Sequence, residues 1–297
     1  MENKRAGSIR WQKMIDGIWT YILLIALCII WLIPIVWVIA TSFRGESTGL
    51  ITQTFFPSQW TLDNYKNLFE ETRILLFGKW VVNTLKISLI NMVGTTIVTL
   101  CTAYSLSRFR FKMRRPFMNI ALILGMFPGF MSMSAIYIIL SMIQINGEPV
   151  LIGNTWSLLL IYISGAGLGF FVSKGYFDTL PVSLDEAAYV DGASRWTIFF
   201  RIILPLAKPI IIYTALMAFM APWSDYVLAK LILGADRTGE SWTVAVGLYN
   251  LTEESRIADY FTIFSSGCVL IAVPIVCLYL SLQRYMVEGI SAGAVKG

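Results

Sequence analysis

Three ionisable side chains, Lys86, Asp225 and Lys230, fall within long apolar runs. Charge is costly in such surroundings and marks candidates for the path of a polar solute, although a lysine near a run's end can also reach water along its own stem. Hydroxylated solutes are met by polar groups and aromatic faces, which joins Asn83, Asn91, Tyr137, Trp223, Ser224 and Tyr226 to Asp225 as candidate lining residues; the commoner role of such aromatics is packing. Covalent chemistry has fewer candidates. No histidine occurs in the chain, which removes the commonest general base and the commonest metal ligand together. Cys28, Cys101, Cys268 and Cys277 lie in apolar runs without metal-ligand or secreted-scaffold spacing and read as space-filling groups. No phosphate loop of the form GxxxxGK[ST] occurs. GAGLGF at 165–170 has glycines at nucleotide-loop spacing, but no strand precedes it, and it reads as close helix packing. The expectation is a chain with no catalytic residue, no metal site and no cofactor of its own.

The elements that must position these residues are membrane helices. Hydrophobic residues make up 57% of the 297, charged residues only 14%, and the mean hydropathy is +0.69, more than a soluble domain can keep off its surface. Apolar runs long enough for a hydrocarbon slab of ~30 Å predict an all-α integral membrane protein with six spans, at approximately 17–42, 80–106, 117–143, 154–177, 206–233 and 261–283. The first run is too long for a signal-peptide core, lacks a small-residue cleavage site behind it, and is expected to stay as an anchor. Lys4, Arg5, Arg10 and Lys13, then Arg108, Arg110, Lys112, Arg114 and Arg115, then Arg195, Arg201 and Lys208, and finally Arg284 and Lys296 fall in one alternate set of connections. By the positive-inside rule that set is cytoplasmic, with both termini. The formal charge of +5 is dispersed among these segments rather than gathered on one face, which speaks against nucleic acid. The expected plan is a cytoplasmic segment 1–16, a membrane-spanning domain 17–283 and a cytoplasmic tail 284–297.

One connection, 178–205, has its own internal structure. Ser183 stands three residues ahead of Glu186, the spacing of a capping box, and Pro181 blocks continuation of the preceding helix, so a short helix is expected from Leu184. Gly192 can take a positive φ, and Ser194 offers a second cap. Trp196, Phe199, Phe200 and Ile203 recur at i, i+3, i+4 and i+7, one apolar face of a second helix that Leu204 and Pro205 should end. Periodicity alone fits equally well with a hairpin lying on the bilayer surface.

The run EAAYVDGASRWTIFFRIILP, residues 186–205, resembles the EAA loop of binding-protein-dependent ABC importer permeases, with Glu186, Ala187, Ala188, Gly192, Ile202, Leu204 and Pro205 at the defining positions. FPSQWTLDNYKNLF at 56–69, the segment 173–194 and the ending LQRYMVEGISAGAVKG are similar to the MalG-like carbohydrate subfamily across nearly the whole chain. The resemblance implies a type I importer fold of the MetI-like kind in a bacterial cell membrane. It also implies a companion permease chain of the MalF-like kind, a dimeric ATPase that holds the ATP and magnesium, and an extracytoplasmic sugar-binding protein facing 234–260, whose Gly and Ser content suits a mobile loop. In that family the loop enters a cleft of the ATPase, which implies coupling roles for Glu186, Ala187, Ala188, Asp191, Gly192, Ile202, Leu204 and Pro205. Ala187 and Ala188 would permit close approach, Gly192 would supply the bend, Glu186 would cap the helix and meet a basic group of the ATPase, and the aromatic face would brace the loop. Gln283, Arg284, Gly289, Gly293 and Lys296 would form a second ATPase contact. The cargo implied is a carbohydrate such as a malto-oligosaccharide. A self-contained secondary transporter is the competing expectation, weakened by the scarcity of buried acidic or histidine relays.

Overall fold

A peptide group in hydrocarbon has no water to bond, so an apolar run closes its own hydrogen bonds as helix. The computed structural model of the chain describes residues 2–46, 54–70, 74–167, 169–253 and 256–294. In chain order the helices are α1 (Glu2–Ser42), α2 (Asp63–Leu68), α3 (Phe77–Arg108), α4 (Arg114–Gly125), α5 (Gly129–Met142), α6 (Thr155–Gly165) and α7 (Phe171–Thr179). There follow α8 (Ser183–Val190), α9 (Arg195–Thr197), a π-helical segment Ile198–Ile203, α10 (Leu204–Leu206), α11 (Lys208–Ser224), α12 (Val227–Leu233), α13 (Val244–Asn250) and α14 (Ile257–Ala294). A hairpin after α5 pairs β1 (Gln144–Ile145) with β2 (Glu148–Pro149). Its turn residues Asn146 and Gly147 both have positive φ, at 52° and 85°, the pairing that a two-residue hairpin favours.

Contacts divide the chain into two units, Met1–Leu68 with Leu251–Leu270 and Phe69–Asn250 with Ile271–Gly297. In the first, the end of α1 is tied to the turn that follows. The Ser42 carbonyl accepts from Asn64 Nδ2 at 3.1 Å and from Ser266 Oγ at 3.0 Å, and the buried Arg44 guanidinium meets Glu46 at 2.7 Å. Trp37 packs on Phe261 with ring centres 5.7 Å apart.

In the second unit α3 is the central element, packed along α11, α7 and α6. Two buried clusters flank it. One gathers Leu100, Ala103 and Tyr104 of α3 with Phe177, Ala188, Phe199 and Ile203, and the other gathers Ile87 with Leu158, Leu228, Ile232 and Val246.

Among the described residues, three unbroken helical stretches are long and apolar enough to cross a membrane: Gly17–Ser42, Phe77–Arg108 and Ile257–Tyr285. The other expected spans are broken. The run 117–143 consists of α4 and α5, bent by 98° where Pro128 and Gly129 interrupt it; Pro128 cannot donate to the preceding turn. The run 154–177 divides into α6 and α7 around the glycine-rich stretch, and 206–233 divides into α11 and α12 at Asp225 and Tyr226. Pro34 and Pro274, by contrast, lie inside α1 and α14.

Candidate coupling loop and translocation path

The loop 178–205 begins where α7 ends at Thr179, with Leu180 extended (ψ 132°) ahead of Pro181. Helix α8 starts at Ser183, and its N-cap is Val182, whose side chain offers no acceptor. The capping box expected of Ser183 and Glu186 is therefore not made. Pro181 and Val182 already form the first turn, their carbonyls accepting from Leu184, Asp185 and Glu186 N–H at 3.0 to 3.3 Å, so Ser183 lies inside the helix and Glu186 is left exposed.

The far end of α8 closes on itself. Gly192 takes φ 83°, its N–H donates to the Tyr189 carbonyl at 3.1 Å, and Ala193 N–H donates to the Ala188 carbonyl at 3.0 Å. These two bonds around a left-handed residue are the Schellman closure, which satisfies the last carbonyls and fixes the exit direction. Ser194 then caps α9, its Oγ accepting from Thr197 N–H at 3.2 Å.

The second helix departs from the expected face. Residues 198–203 wind as a π-helix, whose wider turn breaks the 3.6-residue period. Ile198, Phe199 and Ile203 go inward, whereas Trp196 and Phe200 stay exposed and stack on one another at 5.9 Å. Only part of the aromatic face thus braces the loop, chiefly Phe199 against Tyr104 at 4.5 Å. Nor do Leu204 and Pro205 end the helix. The winding continues from the π-helical segment through Pro205 into α10, and the break comes at Ala207, with an 82° bend into α11.

Ala188, 8% exposed, packs inward in the cluster beneath the loop, while Ala187, Asp191 and Tyr189 are exposed and Val190 is 87% exposed. The solvent face of α8 is therefore Glu186, Ala187, Tyr189 and Val190. Ile202 and Leu204 are half-buried against the same cluster, and Pro205 is exposed.

Two residues that the sequence had offered only as a basic topology marker and an unremarked acid anchor this loop. Arg108, the last residue of α3, brings Nε to 2.8 Å from Asp185 Oδ2, with the two side chains 7% and 18% exposed. Its Nη2 donates to the Leu180 carbonyl at 3.0 Å. Burial pushes the Asp185 carboxyl above the usual carboxylate range, Arg108 pulls it down, and neighbouring Glu186 pushes it up again. Next to Arg108, Ser107 Oγ donates to Asp178 Oδ1 at 2.6 Å, and Lys174 bonds the other oxygen at 2.6 Å.

The candidate path residues separate into groups. A cavity of ≈ 280 Å³ is lined by Asn91, Thr95, Thr99, Tyr162, Ser173 and Thr214 among others. Asn91 donates to the Ala218 carbonyl at 2.7 Å and accepts from Thr95 Oγ1 at 2.7 Å. Asp225 accepts from Tyr162 OH at 2.7 Å and from Leu228 N–H at 3.1 Å, so it reaches the cavity through Tyr162. Asn83 is elsewhere, donating to the Glu240 and Trp242 carbonyls at 2.6 and 3.2 Å. Tyr226 stacks on Tyr249 at 3.9 Å, Trp223 packs on Phe219, and Ser224 Oγ turns back to Ala221 O. Tyr137 is half-buried on α5. Lys86 is exposed, and Lys230 lies over the Trp242 ring at 4.9 Å. Gln283 and Arg284 are exposed on α14, the latter against Tyr285; Gly289 and Gly293 lie in its last turns, and Lys296 falls outside the described residues. Among the described residues no cluster of His, Cys, Asp or Glu is placed to hold a metal.

A family model for the binding-protein-dependent transport system inner membrane component matches residues 96–291, the stretch that carries the loop and most of the cavity wall. The chain belongs to that family. This permease is 39% identical over 287 residues to the galactooligosaccharides transport system permease protein GanQ of Bacillus subtilis, covering 96% of this chain and 98% of the relative. It is 39% identical over 288 residues to the maltodextrin transport system permease protein MdxG of the same organism, with the same coverage. Its fold matches a crystal structure of a bacterial ABC transporter involved in import of the acidic polysaccharide alginate, with TM-score 0.73 and 22% identity over 92% of this chain and 96% of that one. Membership makes the chain a transport component of the inner membrane rather than an enzyme, and sets aside the self-contained carrier.

In the segment 234–260, expected from its composition to be mobile, residues 239–244 are tied to the permease's own helix α3. Side chains at the start of α3 hold them: Trp80 Nε1 donates to Gly239 O at 2.9 Å, Asn83 bonds two carbonyls, and Val244 N–H donates to Thr84 Oγ1 at 2.8 Å as α13 begins. Burial pushes the Asp236 carboxyl up, but hydrogen bonds from Thr238 and Ser241 more than offset this and hold it at about 2. A depressed carboxylate stabilises above its ordinary value and loses that contribution as pH falls through the folded one. Protection of the amides at 237–242, taken relative to the unstructured rate at each pH, is therefore expected to be full above pH 3.8 and to fall towards about 2. Asp236→Asn should show the lower protection above pH 3.8, the difference vanishing towards about 2; an unchanged profile in that variant refutes this role.

Proposed function

We propose that this permease forms half of the translocation path of a carbohydrate importer, with six spans and both termini cytoplasmic. Its companions are a homologous permease, a pair of ATP-binding subunits and an extracytoplasmic sugar-binding protein. The cargo is an oligosaccharide of the malto- or galacto-oligosaccharide class, the chemistry named for the relatives GanQ and MdxG. The observation behind the coupling reading is the exposed face of α8, with Val190 at its tip and Gly192 closing the turn behind it. A short helix fixed at both ends can transmit a push without fraying.

ATP and magnesium are held by the partner ATPase. Nucleotide binding draws the two coupling helices together, the spans rock from inward-facing to outward-facing, the binding protein releases its sugar into the cavity, and hydrolysis resets the assembly. This chain's part is mechanical. Glu186, Ala187, Tyr189 and Val190 meet the ATPase, while Ala188, Ile202 and Leu204 seat the loop. Asp191, Gly192 and Pro205 set its path, and Gln283, Arg284, Gly289, Gly293 and Lys296 form a second, smaller contact. On the sugar's route are Asn91 and the Tyr162–Asp225 pair at the cavity, together with Tyr137, Trp223, Ser224 and Tyr226.

The test is copurification from detergent of the intact chain and of Val190→Asp, with ATP hydrolysis measured in the presence of sugar-loaded binding protein. The intact chain should bring down an ATPase, and Val190→Asp should lose roughly tenfold in associated ATPase, about 1.4 kcal/mol, for burying a charge at a contact. Import by the chain without any ATPase sinks the reading.

A further inference from the structure

The end of α3 holds the polypeptide leading into the coupling helix at three successive points. Ser107 bonds Asp178 at the end of α7, Arg108 bonds the Leu180 carbonyl, and Arg108 pairs with Asp185 in the first turn of α8. Each charge of that pair also suits its own helix, a cation at the C-terminus of α3 and an anion in the first turn of α8. The pair is largely buried, and its contact is ionic rather than an aligned hydrogen bond, leaving Arg108 Nε and both Asp185 oxygens without a hydrogen-bond partner. Surface ion pairs contribute little, but removing one member of a buried pair strands the other, so opening this pair costs more than opening an exposed one. The loop's other arm is tied to the same helix, through Phe199 on Tyr104 and through α11 along α3. Farther along α3, Asn91, Thr95 and Thr99 form one wall of the cavity.

We propose that Arg108 and Asp185 form a transmission latch that makes α3 the lever between the coupling helix and the translocation cavity. Neither residue contacts nucleotide or sugar; both are positioning residues, and the proposal rests on the coupling reading given above. With the latch closed, displacement of α8 moves the cytoplasmic end of α3 directly. With it open, α8 still presents its outer face to the ATPase, since Glu186, Ala187, Tyr189 and Val190 take no part in the latch, but the displacement is absorbed in the linker Leu180–Val182.

The experiment uses the assembled importer in proteoliposomes, carrying Thr95→Cys in a background where Cys28, Cys101, Cys268 and Cys277 are replaced by Ser. The readouts are copurified ATPase, ATP hydrolysis, and the change in labelling of Thr95→Cys by a membrane-impermeant maleimide when ATP and vanadate are added. No sugar is needed. Arg108→Ala and Asp185→Asn are expected to retain the ATPase and its basal hydrolysis, measured without binding protein, while the nucleotide-dependent change in labelling shrinks roughly tenfold, within the usual range of coupling between sites. The exchange Arg108→Asp with Asp185→Arg should recover most of the response, and Arg108→Lys part of it. If Arg108→Ala fails to accumulate, Asp185→Asn with the exchange variant decides. A full labelling response in Asp185→Asn, or an exchange variant no better than the worse single change, overturns the latch. An intact assembly that brings down no ATPase overturns the coupling reading instead, and the latch with it.

Discussion

Replacing Ala188 with Leu is expected to leave the permease in the membrane with its ATPase bound, and to cut binding-protein-stimulated ATP hydrolysis by roughly tenfold or more. The reason is where Ala188 sits. Its side chain belongs to the cluster with Ile198, Phe199 and Ile203, and its carbonyl receives the Ala193 N–H that closes the Gly192 turn. Three further carbon atoms in that packed site cost about 1–3 kcal/mol, relieved most easily by lifting α8 off Phe199. A lifted helix keeps its outer residues but loses its seat, so the ATPase pushes on a yielding element. Ala187→Leu provides the contrast, because Ala187 is exposed and adding bulk there alters the contact surface without unseating the loop. Binding assays on the two variants should therefore diverge, with ATPase affinity falling for Ala187→Leu and stimulation falling for Ala188→Leu. Equal losses of affinity in both would show that the two alanines face the partner together.

That distinction marks what the sequence of this loop could and could not tell. The Gly192 bend and the Ser194 cap depend on one residue and its neighbours within a turn, and both are readable from residue type. The Ser183 and Glu186 box has the right spacing, yet it fails because Pro181 and Val182 begin the helix early, a competition between two local rules that spacing does not rank. The apolar face was counted at 3.6 residues per turn, and the π winding of 198–203 changes that count, sending Phe199 inward and Phe200 outward. Partners distant in sequence were the least legible. Nothing around Arg108 distinguishes it from Arg110 or Arg114 until Asp185 is brought beside it. Asn83 has the composition of a solute-facing group, but Glu240 and Trp242 carbonyls occupy its amide. The span pattern fared similarly: hydropathy locates the apolar runs, and the bends at Pro128 and at Ala207 show only when the helix directions on either side can be compared.

Gly247→Ala is expected to be the most damaging conservative change in the second unit, reducing the amount of folded protein rather than its coupling. A Cβ at Gly247 would fall on the Trp80 indole, 2.6 Å from Cε2 and nearer still to Cδ2 and Cε3. The ring has nowhere to retreat. Trp80 is 1% exposed, its Nε1 is committed to the Gly239 carbonyl at 2.9 Å, and Trp242 stacks on it at 6.2 Å. Either α13 moves away from α3, opening a void beside buried Val244 and Val246, or the indole swings and leaves a buried N–H without an acceptor, at about 1–3 kcal/mol, on top of a similar cost for overpacking. Marginal stability makes a loss of that size visible as lower yield from the membrane and a lower melting temperature in detergent. The clash can be told from a simple loss of glycine flexibility by combining Gly247→Ala with Trp80→Leu. If crowding is the cause, the double variant is more stable than the sum of the single effects, because the smaller side chain vacates the space that the new methyl enters. If the effects add, the cause lies in the backbone of α13 and the packing explanation is wrong.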